Sequence, residues 1–264
     1  MAYGKTFEEV SKIHRPLHIV KNYGKYCFCI NEEPFSLERY EIKMGKSVPM
    51  QVHFERDICI YLISGEIVLR NIINNGEKSN IVLNEGEVVE LKRKTPYGIN
   101  ARRDSVVYVL SNKYTEGDFL VLEKENESQM ISPAITKDGD VKVGKTFNVL
   151  DKYWGKIESI FSGEFAGKKL IVRAGSSGSL EYHVHKTEAY YIHSGSVKIG
   201  LRIGRAENKS VVLKEGDVFI IKPGTMHCRI GTNEDCTFIE ISTKDDDGDS
   251  NLVEDGTKYK HIEQ

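Results

Sequence analysis

The stretch from Gly175 to Gly195 reads G-S-S-G-S-L-E-Y-H-V-H-K-T-E-A-Y-Y-I-H-S-G. In an extended strand successive side chains alternate between two faces, so Glu181, His183 and His185 are expected to share one face. Glu188 follows three residues after His185, and a slight bend of the chain would let it join them. The stretch therefore predicts a cluster of imidazoles and carboxylates.

A further candidate ligand, His227, ends the segment P-G-T-M-H, in which Pro223 and Gly224 favour a turn back toward the cluster. Three imidazoles and one carboxylate suit Zn, Fe, Mn, Co or Ni better than Mg or Ca. We therefore expect one divalent transition-metal ion. Its expected ligands are His183, His185, Glu188 and His227. The alternative is that these histidines are ordinary strand residues satisfied by hydrogen bonds.

Composition bounds the class of protein. Of the 264 residues, 39% are hydrophobic and 29% are charged, which is typical of globular domains. The net charge of −2 gives no electrostatic case for nucleic acid or an anionic membrane as a partner. The opening M-A-Y-G-K-T-F-E-E-V lacks the apolar segment of a secretory signal, and the five cysteines are an odd number. We expect a cytoplasmic protein with reduced thiols.

Short β-branched and aromatic runs follow Pro16, separated by Gly, Asn and Asp, and their spacing predicts an antiparallel sandwich or barrel. Before them, the segment T-F-E-E-V-S-K-I predicts a short helix, with Thr6 and Glu9 as a capping box.

The order of these runs repeats. Aligning His53 with His183 gives an offset of 183 − 53 = 130 residues. At that offset the glycines of three turns coincide: Gly45 with Gly175, Gly65 with Gly195, and Gly86 with Gly216. The repeat predicts two domains, 1–130 and 131–264, joined by a polar linker over 126–140.

The repeat also predicts which half keeps the metal. Gln51 and His53 stand where Glu181 and His183 stand. The other candidate ligands are replaced: Glu55 for His185, Ile58 for Glu188 and Tyr97 for His227. Isoleucine cannot bind a metal ion, so we expect the first half to be structural. The alternative is that Gln51, His53 and Glu55 bind a small polar ligand.

The motif H-x-H-x-x-E, with G-D-V-F-I-I-K-P-G-T-M-H further on, resembles the two motifs of the cupin superfamily. It is most similar to the cupin domain of type II mannose-6-phosphate isomerases, whose pattern runs W-G, L-V-V-K-P-G, then L-S-L-Q-x-H-H-H-R-A-E-H-W-x-x-x-S-G. Here the matching segments are Trp154-Gly155-Lys156, L-I-V-R-A-G from Leu170, and S-L-E-Y-H-V-H-K-T-E-A-Y-Y-I-H-S-G from Ser179. The resemblance covers residues 150 to 230.

This resemblance implies an all-β fold, a tandem cupin of two jelly-roll (double-stranded β-helix) barrels after the short N-terminal helix. It also implies a metal-dependent aldose–ketose isomerase, in which the ion binds an open-chain sugar phosphate and stabilises an enediolate. Glu181 stands where the family has Gln, and is the candidate catalytic base or a further ligand. The residues expected to contact the substrate are Arg173, Lys186, Tyr190 and Arg229.

Two other functions fit the same ligand set: an Fe- or Mn-dependent dioxygenase or oxidase, and a non-catalytic sugar-binding module. The expected partner is a small-molecule substrate, with a sugar phosphate favoured. The sequence leaves a homodimer open.

Overall fold

The computed structural model of this chain describes residues 6–72, 78–122 and 140–256. The chain divides into a first unit, Leu17–Thr146, and a second unit that joins Met1–Pro16 to Phe147–Gln264. The predicted linker and the boundary between residues 130 and 131 lie outside the described residues, apart from Asp140. Beyond that boundary, strand β13 (Val141–Lys145) still belongs to the first unit, because it pairs with β9 (Glu87–Leu91).

The second unit begins with the predicted short helix, α1 (Phe7–Val10). The backbone N–H of Thr6 donates to Glu9 Oε2 at 2.7 Å, and the N–H of Glu9 donates to Thr6 Oγ1 at 3.3 Å, so the capping box is present. Strand β1 (Ile13–His14) then pairs with β21 (Val218–Ile221). These contacts explain why the first residues of the chain belong to its second unit.

The first unit consists of two antiparallel sheets, ordered β13-β9-β6-β11-β4-β3-β2 and β12-β5-β10-β7-β8. Besides β9 and β13, its strands are β2 (His18–Lys21), β3 (Gly24–Glu32), β4 (Phe35–Ile42), β5 (Ser47–His53), β6 (Ile58–Ser64), β7 (Glu66–Ile72), β8 (Lys78–Asn84), β10 (Tyr97–Ala101), β11 (Ser105–Asn112) and β12 (Phe119–Val121).

The second unit has sheets ordered β1-β21-β18-β23-β16-β15-β14 and β24-β17-β22-β19-β20. Besides β1 and β21, its strands are β14 (Phe147–Lys152), β15 (Gly155–Ser162), β16 (Phe165–Val172), β17 (Leu180–His183), β18 (Glu188–Ser194), β19 (Ser196–Arg202), β20 (Lys209–Lys214), β22 (Met226–Gly231), β23 (Cys236–Thr243) and β24 (Ser250–Glu254). A 3₁₀ turn, Asp247–Asp249, precedes β24.

The two units have equivalent strands in the same order, so the predicted duplication is visible in the sheets. The turn glycines agree with it: Gly65 and Gly195 both have positive φ, 98° and 75°. A Cβ on Gly195 would lie 2.1 Å from the Asp235 carbonyl oxygen, so only glycine fits there. Each unit encloses its own core of buried aliphatic and aromatic side chains. The predicted all-β architecture with a short N-terminal helix is confirmed.

Candidate metal centre

Three strands of the second unit bring the candidate ligands together. Glu181 and His183 lie on β17, Glu181 is in register with His227 on β22, and β18 begins at Glu188. Ligand atoms of Glu181, His183 and His227 all lie within 4.8 Å of one another. Among the described residues this is the one group of three or more such side chains that could hold an ion.

Glu188 completes the cluster. Its Oε1 lies 3.0 Å from His183 Nε2, and its Oε2 lies 3.4 Å from His227 Nε2. His183 Nε2, His227 Nε2 and Glu188 Oε1 are nevertheless buried without a hydrogen-bond partner, because their geometry is wrong for hydrogen bonds. Leaving one buried polar atom unsatisfied costs about 1–3 kcal/mol. Two imidazole nitrogens without hydrogen-bond partners beside one buried carboxylate fit a bound cation.

The Nδ1 atoms of His183 and His227 both face backbone carbonyl oxygens, so the Nε2 atom of each ring faces the cluster. His183 Nδ1 lies 3.0 Å from the carbonyl oxygen of Asp249, and His227 Nδ1 lies 3.0 Å from that of Thr225. A carbonyl can only accept, so each Nδ1 donates, and in the neutral ring Nε2 then keeps its lone pair. Backbone partners of this kind orient the histidine ligands of metal ions in proteins.

The donor set is two imidazoles and two carboxylates, which suits a divalent transition metal. Burial acts to raise the pKa of the Glu188 carboxyl, but Lys186 and the two imidazoles hold that pKa well below its usual range. Glu188 therefore stays ionised, as a metal ligand must.

The structure does not bring His185 to the cluster, so the expected alternation of side chains fails there. Strand β17 ends at His183, and the next three residues turn around Asp249. The carboxylate of Asp249 accepts the backbone N–H groups of Val184, His185 and Lys186, at 2.8, 3.0 and 2.9 Å. His185 is consequently exposed. Lys186 is buried and takes the inward position that was expected of His185.

Two buried cations border the cluster. Lys186 Nζ lies 2.6 Å from Glu188 Oε1. Arg229 donates from Nη1 to Glu181 Oε1 at 2.8 Å and from Nη2 to the Tyr190 hydroxyl at 2.7 Å. Tyr190 in turn donates to Glu188 Oε2 at 2.6 Å. Three of the four predicted substrate residues thus contact the candidate ligands.

The remaining predicted substrate residue, Arg173, lies elsewhere. It is exposed, and its Nη1 donates to the Lys152 carbonyl at 3.1 Å. The structure therefore does not bring Arg173 into the cluster.

The positive charges around Glu181 favour a ligand over a base. Burial acts to raise the pKa of Glu181, but Arg229 and His227 outweigh burial and lower that pKa to about 2. A carboxylate with so low a pKa accepts a proton weakly near neutral pH, whereas it remains available to a cation.

Two carboxylates at the cluster were not predicted. Glu240 is 2% exposed, and its oxygens lie 3.7 Å from Lys186 Nζ and 3.9 Å from Arg229 Nη2. Asp249 lies in the acidic run D-D-D-G-D that begins at Asp245, and its carboxylate holds the turn after β17. A sequence signal existed for Glu240, because this charge interrupts the otherwise apolar and small residues of T-F-I-E-I-S.

The first unit fills the equivalent space differently. Four polar residues of the second unit correspond to aliphatic ones here: Glu188, Tyr190, Arg229 and Glu240 to Ile58, Ile60, Ile99 and Val109. All four aliphatic residues belong to the core of the first unit.

The counterpart of Lys186 is Arg56, which is 2% exposed and donates to Glu38 at 2.8 Å and to Asp118 at 2.9 Å. Its Nη2 lies 2.8 Å from His53 Nδ1, which must therefore accept. Burial and Arg56 lower the pKa of His53 to about 3, so this ring is neutral with its proton on Nε2, facing Tyr97 at 3.3 Å. His53 has no free lone pair for an ion. Glu55 is exposed, and its Oε2 accepts from Thr115 Oγ1 at 3.3 Å.

Comparison with known proteins agrees with this fold. Residues 163–260 match the family model described as Cupin. A relative, mannose-1-phosphate guanylyltransferase 2 of Escherichia coli O157:H7, is 31% identical over 114 residues, or 41% of this chain. The chain spans 22% of the length of that relative.

Solved structures of oxalate decarboxylase from Bacillus subtilis are similar over most of the chain. One, at pH 4.6, has a TM-score of 0.70 at 14% identity and covers 89% of this chain and 77% of its own. Another, from work on the Mn(II) centres of that enzyme, has a TM-score of 0.69 at 14% identity and covers 90% and 78%. At such identity the likeness concerns the fold alone.

Within the described residues, no helix has the length and apolar character needed to cross a bilayer.

Three findings agree on the fold of this chain: the equivalent sheets of the two units, the family match over 163–260 and the similarity to solved structures. The chain has an all-β fold in two copies, similar to the fold of oxalate decarboxylase, and residues 163–260, which match the Cupin family model, contain the candidate metal centre.

Proposed function

We propose that the second unit binds one divalent transition-metal ion through Glu181, His183, Glu188 and His227. The observation that carries this proposal is the close approach of His183 Nε2 and His227 Nε2 to the Glu188 carboxylate, at 3.0 and 3.4 Å, although neither nitrogen has a hydrogen-bond partner. An ion bound by these side chains would supply a Lewis acid for the oxygens of a substrate.

Comparison of the two units indicates that the cluster is kept for binding and is not needed for folding. The first unit builds the same sheets with isoleucine and valine where the second has Glu188, Tyr190, Arg229 and Glu240. Burying charged groups is costly, and replacing a buried ion-pair network with packed apolar side chains is often neutral or stabilising by about 1–4 kcal/mol. The first unit keeps a buried ion pair between Arg56 and its carboxylate partners, but the carboxylates at the positions of Glu188 and Glu240 occur only in the second unit. They are therefore best explained by what they bind.

We propose further that the substrate is a sugar phosphate and that the reaction is an aldose–ketose isomerisation. Support comes from the resemblance of Trp154-Gly155 and of the stretch from Ser179 to Gly195 to the type II mannose-6-phosphate isomerases. Further support comes from similarity to an enzyme named for a mannose phosphate. The whole activity of that relative is not transferred, because the chain spans only 22% of it.

Residues around the proposed metal site orient its ligands. Arg229 orients Glu181 and Tyr190, and Tyr190 orients Glu188. His227 and Glu188 are 0% and 1% exposed, so this side of the centre excludes water and the charges on it are weakly screened. Such a fixed polar surrounding is suited to stabilising negative charge that develops on a sugar oxygen.

A metal-loaded panel tests the proposal. Protein purified without chelator and loaded in turn with Mn, Fe, Co, Ni and Zn should interconvert at least one aldose phosphate with its ketose isomer. Glu181→Gln separates the two roles of that residue: loss of metal identifies a ligand, whereas retained metal with at least about tenfold slower turnover identifies the predicted base. Oxygen uptake without isomerisation would contradict the isomerase proposal in favour of an oxidase.

A further inference from the structure

The side chain of Lys186 occupies an unusual place for an ammonium group. It is 7% exposed, and its Nζ lies 2.6 Å from Glu188 Oε1, the oxygen that also faces His183 Nε2 at 3.0 Å. A lysine ammonium is strongly hydrated in water, so it is buried only where anions replace that hydration. Its anion here is one of the proposed metal ligands.

An ammonium in this position disfavours a divalent ion at the cluster. Both cations are attracted to Glu188 Oε1, and two cations a few ångströms apart in a buried site repel each other strongly. The approach of Lys186 to Glu188 is short but lacks hydrogen-bond geometry, since Glu188 Oε1 has no hydrogen-bond partner. The contact is therefore electrostatic and lacks the directional bond that would fix it.

Two other carboxylates lie within reach of the same ammonium. Lys186 Nζ donates to Asp245 Oδ1 at 3.3 Å and lies 3.7 Å from Glu240 Oε1. Among the described residues, the side chain of Glu240 forms ion pairs with Lys186 and Arg229 at 3.7 and 3.9 Å but no side-chain hydrogen bond. A buried carboxylate without a hydrogen bond gains from a closer cation.

The first unit shows a contrasting arrangement at the equivalent position. Arg56 is fixed by hydrogen bonds to Glu38 and Asp118, and there is no carboxylate at Ile58 for it to release. The second unit instead gives its cation one ligand carboxylate and two alternative partners.

We infer that Lys186 is the resident cation of the metal-free centre, and that metal binding moves its ammonium from Glu188 onto Glu240 and Asp245. This inference rests on the proposed metal site. Lys186 then stabilises the empty centre and competes with the incoming ion, while Glu240 is a positioning residue that acts through Lys186. By linkage, whatever stabilises the metal-free form weakens metal binding by the same factor.

Zinc affinity measured by competition with a chromogenic chelator tests the inference on the full chain. Lys186→Met should bind Zn²⁺ at least about tenfold more tightly than wild type, equal to about 1.4 kcal/mol. The matched control is Lys168→Met. Lys168 Nζ lies 2.6 Å from Asp245 Oδ2 and forms no ion pair with Glu188. Its substitution therefore removes one positive charge near Asp245 but leaves the contact between Lys186 and Glu188 in place. We expect less than about a threefold change for it.

Stability gives a second readout. Metal-free Lys186→Met should melt at a lower temperature than metal-free wild type, because Glu188 loses its counter-ion, and the two should converge when saturated with Zn²⁺. If Lys186→Met does not fold, Lys186→Gln keeps a polar group near Asp245 while removing the charge, and the same tighter binding is expected of it.

A double-mutant cycle tests the part played by Glu240. Glu240→Gln should weaken zinc binding in wild type by about tenfold and by clearly less in the Lys186→Met background. Unchanged or weaker affinity of both Lys186 variants would overturn the role of Lys186, and equal losses from Glu240→Gln in the two backgrounds would overturn the role of Glu240. Wild type that binds no zinc would instead refute the metal site itself.

Discussion

Replacing His227 with alanine is expected to lower metal affinity by more than about 100-fold. Removing a residue that only hydrogen-bonds to a metal ligand already costs about 10–100-fold, and His227 is itself a proposed ligand. His227 is fully buried, its Nδ1 is held by the Thr225 carbonyl, and its Nε2 has no hydrogen-bond partner. Alanine removes one of four proposed ligands and leaves Glu188 without one of its two imidazole neighbours. Metal content after gel filtration, measured by inductively coupled plasma mass spectrometry, gives the result.

The matched control for this variant is His53→Ala in the first unit. His53 is also buried, but its Nδ1 accepts from Arg56 and its Nε2 faces Tyr97. Its removal should leave metal content at the wild-type level, even where it lowers the melting temperature. Equal metal loss from both variants would mean that the ion is bound elsewhere or that loss reflects general unfolding.

Replacing Asp249 with alanine is expected to weaken metal binding by about 10–100-fold, although Asp249 is not a ligand through its side chain. Its carboxylate accepts three backbone N–H groups in the turn after β17, and its carbonyl accepts from His183 Nδ1. Without the carboxylate those N–H groups lose their acceptor, and the turn that places Lys186 inward and fixes His183 is released. Chelator competition measures the change in affinity.

Asp118 supplies the control for that experiment. It accepts the N–H groups of Phe54 and Glu55 in the equivalent turn of the first unit, and it also pairs with Arg56. Asp118→Ala should therefore reduce stability but leave zinc affinity unchanged. If Asp249→Ala binds metal as tightly as wild type, the turn does not position the centre.

Much of the fold follows from local patterns in the sequence. Apolar alternation, the turn glycines and the repeat at an offset of 130 residues predict two equivalent sets of antiparallel strands. The ends of the units were not predictable in the same way. The pairing of β1 with β21 and of β13 with β9 depends on long-range contacts, which leave little trace in the local sequence.

The candidate centre was predictable where a regular strand carries the ligands and not where the strand ends. Glu181 and His183 share a face because β17 is extended through both. His185 does not follow, because a carboxylate more than sixty positions away, on Asp249, terminates the strand and reverses the alternation for His185 and Lys186. Glu240 was missed because a single charge in a buried strand gives no indication of its partners.

The metal content of wild-type protein purified without chelator decides whether the second unit holds a metal centre. We expect about one equivalent of a divalent transition metal per chain, with anomalous scattering from crystals placing it between Glu181, His183, Glu188 and His227. Two equivalents per chain, an ion beside His53, or no metal after loading with each of Mn, Fe, Co, Ni and Zn would refute a single centre at this cluster.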